Sequence, residues 1–510
     1  MRIFAYAASG YTGHLIAVEV DIRRGIPGLD IVGLPDGAVR ESRDRVRIAL
    51  QRSGFDFPAE RILVNLAPAG LRKEGASYDL PIAAGILAAS SQIPNPADCD
   101  VLCAGELHLD GTVRPVHGVL PAAAAALGVG VTRFIVPAAN VEEASALPGG
   151  RAVGIDRIGD LAPLLEGAWP EGRPPAAAQH ATGPSSDIAD MADLKGQPIL
   201  KRALEIAASG GHHILIFGPP GSGKTMGART LPGILPDLSP EKSLEVTRIW
   251  SQAGRMGGRS GLIRRPPFRE PHHSSSVEGL VGGGTAGRPG EASLAHGGVL
   301  FLDEAPEFVS RALQSLREPL ESGRVDLARA GRSWWYPSKF ILMLAMNPCP
   351  CGNLGRGESS CFCSPSEIHR YWGRLGGALL DRIDIRVPVS PVGPELLVAA
   401  AEERSADVRN RVDAARKRQE NRYSAAPWSE NAEIPPGELA RFAPLEGSAA
   451  RVFADAVKKL GLSSRAAHSV IRVARTLADM AERETVTDDD VLEAVQHRRF
   501  GGRDIHWTTI

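Results

Sequence analysis

The sequence predicts an α/β protein built around a doubly wound parallel sheet, with another α/β domain before it and a helical domain after it. Three observations carry that prediction. The short apolar runs in HHILIFGPP, VLFLDE and KFILMLAMN alternate with helical segments, as strands buried on both faces do. The first run ends in a glycine-rich turn, the place where such sheets bind ligands. Beyond PVSPVGP at 388–394 strand signals stop, and the remaining segments, TDDDVLEAVQ among them, carry helical spacing behind capping residues.

A chain of 510 residues is too long for one core and suits about three domains. In the first, GHLIAVEVDIRRGIPGLDIVGL reads as strand, turn, strand, and ESRDRVRIALQRSGF as a helix with a glycine stop. PEGRPPAAAQHATGPSSD at 170–187 has no apolar period to bury and reads as a linker. The boundaries expected are 1–168 for the N-terminal domain, 169–187 for the linker, 188–390 for the doubly wound core and 391–510 for the helical domain.

Composition narrows the function classes. Hydrophobic residues at 43 % and charged residues at 23 % exclude wholesale disorder. Lys plus Arg at 58 against Asp plus Glu at 59 excludes a globally basic architectural DNA binder but leaves room for a local basic surface. With neither an apolar leader nor a run of about 20 apolar residues, the expectation is a soluble, cytoplasmic protein with no membrane partner. Six cysteines are too few for a disulfide scaffold.

The chemistry starts at Gly218-Pro219-Pro220-Gly221-Ser222-Gly223-Lys224-Thr225, which fits G-x-x-x-x-G-K-[ST] directly after the run Ile214 to Phe217. Glycines let backbone amides converge on phosphates at a helix N-terminus, Lys224 adds a point charge, and the Thr225 hydroxyl is a Mg²⁺ ligand. Val299 to Leu302 then delivers Asp303 and Glu304 to a strand end, Asp303 for the Mg²⁺ shell and Glu304 to polarise the attacking water. A third strand from Lys339 to Met346 ends at Asn347, a neutral amide able to orient that water. Arg382, between a short helix and a strand, and Arg465, at the start of a helix, are candidates for stabilising charge on a transferring phosphoryl group, either in place or from another subunit.

The segments GPPGSGKT, VLFLDEAPEF, MLAMNPCPCG, LLDRIDI and LSSRAAHSVIRVARTLADM, in this order, resemble the ComM (YifB) family of magnesium-chelatase-like AAA+ ATPases. The resemblance covers nearly the whole chain. It implies Walker A at Gly218 to Thr225, Walker B at Asp303 and Glu304, sensor 1 at Asn347, an arginine finger at Arg382 and sensor 2 at Arg465. It further implies ATP and Mg²⁺ as cofactors, and a homohexameric ring that moves DNA in branch migration during natural transformation. The rival readings are the motor subunit of a magnesium chelatase, disfavoured by the N-terminal domain and the cysteines, and a non-enzymatic assembly scaffold.

Arg72 to Ser77, with the stretch from Gly105 to Ala144, resembles the Lon-type protease domain, a ribosomal-S5-like α/β fold, and places Ser77 where the Lon nucleophile would be. The position matching the Lon lysine is Leu120, which cannot accept a proton, so a proteolytically inactive domain is expected. Lys73 is the one nearby lysine that bears on this.

Cys349, Cys351, Cys361 and Cys363 form C-x-C-x₉-C-x-C, a set of soft ligands for a tetrahedral Zn²⁺ site, with buried free thiols or a redox pair as the alternatives. Cys99 and Cys103 read as packed or surface thiols. Arg329 and Arg332, beside Trp334 and Trp335 on a turn between the second and third core strands, are candidate DNA-phosphate contacts, and the glycine-rich 281–290 is a candidate mobile loop. His272 and His273 read as an exposed pair rather than metal ligands.

Overall fold

The computed structural model describes residues 2–94, 99–165, 169, 188–256, 261–284, 287–329, 332–355, 361–393, 395, 402–498 and 500. The linker expected at 169–187 lies outside them except for Trp169.

The N-terminal part is a mixed seven-stranded sheet. Its strands are β1 (Arg2–Ser9), β2 (Thr12–Arg23), β3 (Gly28–Val32), β4 (Arg61–Ala67) and β5 (Asp100–Cys103), then, after a two-residue ribbon of β6 (Glu106–Leu107) and β7 (Val113–Arg114), β8 (Arg133–Pro137) and β9 (Arg151–Ile155). The order is β3-β4-β2-β1-β5-β8-β9. The predicted strand-turn-strand from Gly13 to Leu34 is present, but β2 and β3 are not partners: both pair with β4, β2 antiparallel and β3 parallel. Alternate residues of β1 face opposite cores, Ile3 and Ala5 toward the helices Gly37–Arg52 and Asp79–Ala89, Phe4 and Tyr6 toward Val119–Gly128. Cys99 and Cys103 are buried at β5.

The core sheet is wholly parallel. Its strands are β10 (Ile214–Phe217), β11 (Phe268–Arg269), β14 (Val299–Leu302), β17 (Ile341–Met346) and β18 (Ile385–Pro388), in the order β11-β14-β17-β10-β18. The remaining strands form two separate hairpins, β12 (Gly282–Gly283) with β13 (Arg288–Pro289), and β15 (Arg324–Arg329) with β16 (Arg332–Pro337). Every residue of β10, β14 and β17 is buried, which explains their unbroken apolar sequences. Ile214, Ile216, Phe301 and Met343 face one layer, Leu215, Leu300, Leu342 and Leu344 the other.

The C-terminal helices keep a small cluster of their own around Tyr423, Ile434 and Leu439, but most of their buried apolar residues join the core of the sheet. Val470, Val473, Ala474 and Leu477 of the helix Ser464–Met480, with Val491 of Asp488–Gln496, share the hydrophobic cluster on the first face of this sheet. Among the described residues there is no strand beyond β18, and no helix is long and apolar enough to cross a membrane.

The N-terminal sheet touches the core at the β15–β16 hairpin. The Tyr11 amide donates to the Trp335 carbonyl at 2.8 Å, and their rings lie 5.1 Å apart. On the neighbouring helix Pro240–Gln252, the Ser251 carbonyl accepts from Gly118 at 3.2 Å and its hydroxyl bonds Glu143.

Candidate nucleotide site and its split halves

The turn after β10 needs left-handed backbone at Gly221 (φ +79°) and Gly223 (φ +84°), and Gly223 caps the helix Lys224–Ile234. The result is a loop of amides at the head of an 11-residue helix, open to an anion. Lys224 Nζ donates to the carbonyls of Gly218 (2.7 Å) and Pro219 (3.0 Å) and to Asn347 Oδ1 (3.2 Å). An ammonium has three donors, and all three are spent on groups that phosphate oxygens can replace. Burial pulls the Lys224 pKa down, opposed by the nearby Asp303 and Glu304.

Thr225 Oγ1 donates to Asp303 Oδ2 at 2.7 Å. Register explains the convergence: β14, β17 and β10 run parallel side by side, so Asp303, Asn347 and the phosphate loop leave the same end of the sheet. Glu304 sits in a left-handed conformation (φ +50°), uncommon for a residue with a side chain, and its amide donates to Asp303 Oδ1 at 2.8 Å. His273 Nδ1 stands 3.7 Å from Glu304 Oε2, and His272 lies against His273.

Arg382 and Arg465 are elsewhere. Arg382 precedes β18, and β18 runs parallel to β10 with Ile385 opposite Ile214, so Arg382 lies at the N-terminal end of the sheet while the phosphate loop lies at the C-terminal end. Arg382 bonds Glu321, and Arg465 donates to the same Glu321 Oε1 at 2.8 Å. All three line a cavity of about 1180 Å³ between the sheet's N-terminal end and the C-terminal helices. The hydrogen bond from Arg465, joined by Arg382, holds the Glu321 carboxyl below its ordinary range. Burial and the neighbouring Arg465 lower the Arg382 pKa, and Glu321 opposes that shift. Glu321, an acidic residue in the short helix Arg317–Ser322, has no motif around it that would have revealed this role.

The helices beside that cavity are fastened by a buried relay. His212 Nδ1 bonds Asp384 Oδ2 (3.1 Å), His212 Nε2 bonds Thr476 Oγ1 (2.8 Å), and the Ser469 hydroxyl donates to Asp384 Oδ1 at 2.5 Å. Burial alone would raise the Asp384 carboxyl; His212, His213 and Ser469 hold it well below the ordinary carboxylate range.

Family models and related chains bear on what this assembly is. The magnesium chelatase subunit ChlI family model matches residues 190–397, the model for the C-terminal part of that subunit matches 402–498, and a third, also described as subunit ChlI of Mg-chelatase, matches 18–140. Competence protein ComM of Haemophilus influenzae is 39% identical over 503 residues, 97% of each chain. The uncharacterized protein YifB of Escherichia coli is 42% identical over 508 residues, 98% of this chain and 97% of its own. This chain belongs to the ComM/YifB family of magnesium-chelatase-like AAA+ ATPases. Membership in the ComM/YifB family implies use of ATP and Mg²⁺, and the loop, Thr225 and Asp303 fit both. Another relative, the magnesium-chelatase 38 kDa subunit of Rhodobacter capsulatus, is 28% identical over only 34% of this chain. The match at 18–140 falls in the N-terminal part, whereas the alignment with the Rhodobacter subunit covers about a third of the chain.

The other candidates fall as follows. Arg329 and Arg332 are on the hairpin, but each has a carboxylate partner, Glu278 at 3.1 Å and Glu74 of the N-terminal part at 2.6 Å. Neither partner is signalled by the sequence. In the glycine-rich stretch, Gly282 and Gly283 pair with Pro289 and Arg288, and 285–286 lie outside the described residues. Lys73 is fully buried and donates to the Pro68 carbonyl rather than to Ser77, and Leu120 is buried in its helix. Cys349, Cys351, Cys361 and Cys363 converge directly after Asn347.

Proposed function

We propose that this chain is an ATP-driven ring motor that moves DNA, assembled as a homohexamer and working in branch migration of recombination intermediates. What carries the reading is the split of the nucleotide machinery between the two ends of one sheet. The four residues of β10 alone span about 13 Å, so a subunit cannot lay its own Arg382 on its own phosphates. A neighbour's Arg382 can be supplied across a head-to-tail contact, and head-to-tail contacts that close make rings. Hydrolysis then depends on assembly, with Arg465 delivered alongside Arg382 because both are tied to Glu321.

Bound with ATP, Mg²⁺ would draw charge from the β and γ phosphates. Within one chain, the loop amides and Lys224 hold the phosphates, Thr225 and Asp303 hold the ion's shell, Glu304 polarises the attacking water, and Asn347 orients it. From the neighbour, Arg382 and Arg465 meet the charge that builds on the transferred group. The name of the Haemophilus relative, a competence protein, and the arginines on the β15–β16 hairpin support DNA as the substrate. The Lys73 contact and the buried Leu120 support an N-terminal domain without proteolysis.

The test compares ATP-dependent processing of a four-way junction with that of linear duplex, with Lys224→Ala as control. Conversion of the junction that needs ATP and Lys224 is expected. No conversion, with ATPase activity stimulated by a chelatase partner and not by DNA, would transfer the chain to the chelatase-motor reading.

A further inference from the structure

We propose that Cys349, Cys351, Cys361 and Cys363 bind one Zn²⁺ as a tetrathiolate, and that this metal buttresses the phosphate loop. Three sulfur pairs stand 3.4, 3.6 and 3.6 Å apart, and all four sulfurs lie within 4.8 Å of one another. Zinc bonded to four thiolates at about 2.3 Å demands sulfur–sulfur edges of roughly 3.8 Å, which this cluster nearly has. A disulfide would instead draw one pair to about 2.05 Å; here Cys349, Cys351 and Cys361 stand nearly equidistant and the thiols are free. The amides of Asn353 and Leu354 point back at the sulfurs of Cys351 and Cys349, the kind of outer support that orients metal ligands.

The position gives the metal a consequence. The turn between the first pair of cysteines and the rest of the loop passes over the phosphate loop: a Cβ placed on Gly352 (φ +77°) would meet Pro220 Cδ at 3.0 Å. Trp372 Nε1 fastens the same segment by donating to the Pro348 carbonyl at 3.1 Å, and Asn347 joins it to Lys224. The cysteine loop therefore presses on Pro220 from outside while Asn347 holds Lys224 from within. Binding releases the thiol protons and ties the pair Cys349 and Cys351 to the pair Cys361 and Cys363, so its free energy is spent on the shape of this loop. The inference is independent of DNA as substrate, since it concerns metal and nucleotide alone.

The experiment uses the full chain, purified reduced and without added metal. Metal analysis should give about one zinc per chain, a mercurial should release it, and Co²⁺ exchanged into the site should show the visible absorption of tetrahedral thiolate coordination. Cys363→Ser should lose that absorption, while Cys99→Ser, away from the cluster, should keep it. Removing zinc from the unmodified chain should weaken nucleotide binding several-fold, read by a fluorescent ATP analogue, and adding zinc back should restore it. Zinc-free reduced protein that gains no tetrahedral Co²⁺ spectrum overturns the site. One zinc per chain with unchanged nucleotide affinity after its removal overturns the buttress.

Discussion

The two ends of the five-stranded sheet are built differently. At the C-terminal end, Asp303 and Asn347 directly follow strands, Lys224 and Thr225 open the helix after the turn from β10, and they meet because the strands run parallel. At the N-terminal end, Glu321, Arg382 and Arg465, and below them His212, Asp384, Ser469 and Thr476, come from segments far apart in the chain and meet because helices pack there. The first end gathers within one chain every group to which the proposed function assigns nucleotide binding. The second presents two guanidinium groups held by one half-exposed carboxylate, with no phosphate of its own chain in reach. In the proposed ring each end is half of a site, and a second copy would complete both.

The largest expected effect breaks the first end. Lys224→Ala removes the charge and should abolish nucleotide binding, while Glu304→Gln should bind nucleotide normally and hydrolyse it about 10²–10³ times more slowly. Equilibrium binding and single-turnover hydrolysis check the pair; equal loss of both steps in both variants would erase the division of labour within that end.

A smaller effect sharpens the second end. Asp384→Ala leaves His212 Nδ1 and the Ser469 hydroxyl without their buried acceptor and should cost about 3 kcal/mol, read as a lowered denaturant midpoint. The pH dependence has a fixed sign. Because the folded carboxyl lies below the unfolded value of about 3.9, its contribution is full above pH 4 and is lost as pH falls toward the folded pKa. The gap between the unmodified chain and Asp384→Ala should therefore close as pH drops below about 4. A gap that widens in acid would contradict an ionised Asp384.

Legibility in the sequence follows the same divide. The phosphate loop and the acidic strand end could be read because their residues are local: fixed offsets beside continuous apolar runs. The helical end was legible as secondary structure, through the Ser463 cap and the apolar spacing of Ser464–Met480, but not as packing. Glu321 and Asp384 acquire their roles only through contacts with Arg465 and Ser469, 144 and 85 residues away. The hairpin arginines were legible as a basic turn, whereas Glu74 and Glu278, which pair with them, are ordinary acidic residues until the chain folds.

The smallest expected effect concerns that hairpin, which springs from the N-terminal end of the sheet, where the Ser338 amide bonds the Gly323 carbonyl at 2.8 Å. If Arg329 and Arg332 contact phosphate, replacing both by alanine should flatten log K against log salt by about 0.9 for each contact on duplex DNA while basal ATPase persists. DNA must also displace Glu74 and Glu278, so Glu74→Ala should tighten binding slightly. Unchanged slopes would move the DNA contact off the hairpin.

The central claim is that the two ends belong to one site only when they lie on different subunits, and a mixing experiment tests it most directly. Arg382→Ala and Glu304→Gln chains should each be deficient in hydrolysis when assembled alone. In mixed assemblies some interfaces pair an intact Glu304 with an intact neighbouring Arg382, so ATPase activity should rise above the mean of the two parents and peak at intermediate ratios. Activity that follows the mean at every ratio, with mixed assembly confirmed, would contradict action of Arg382 across the interface.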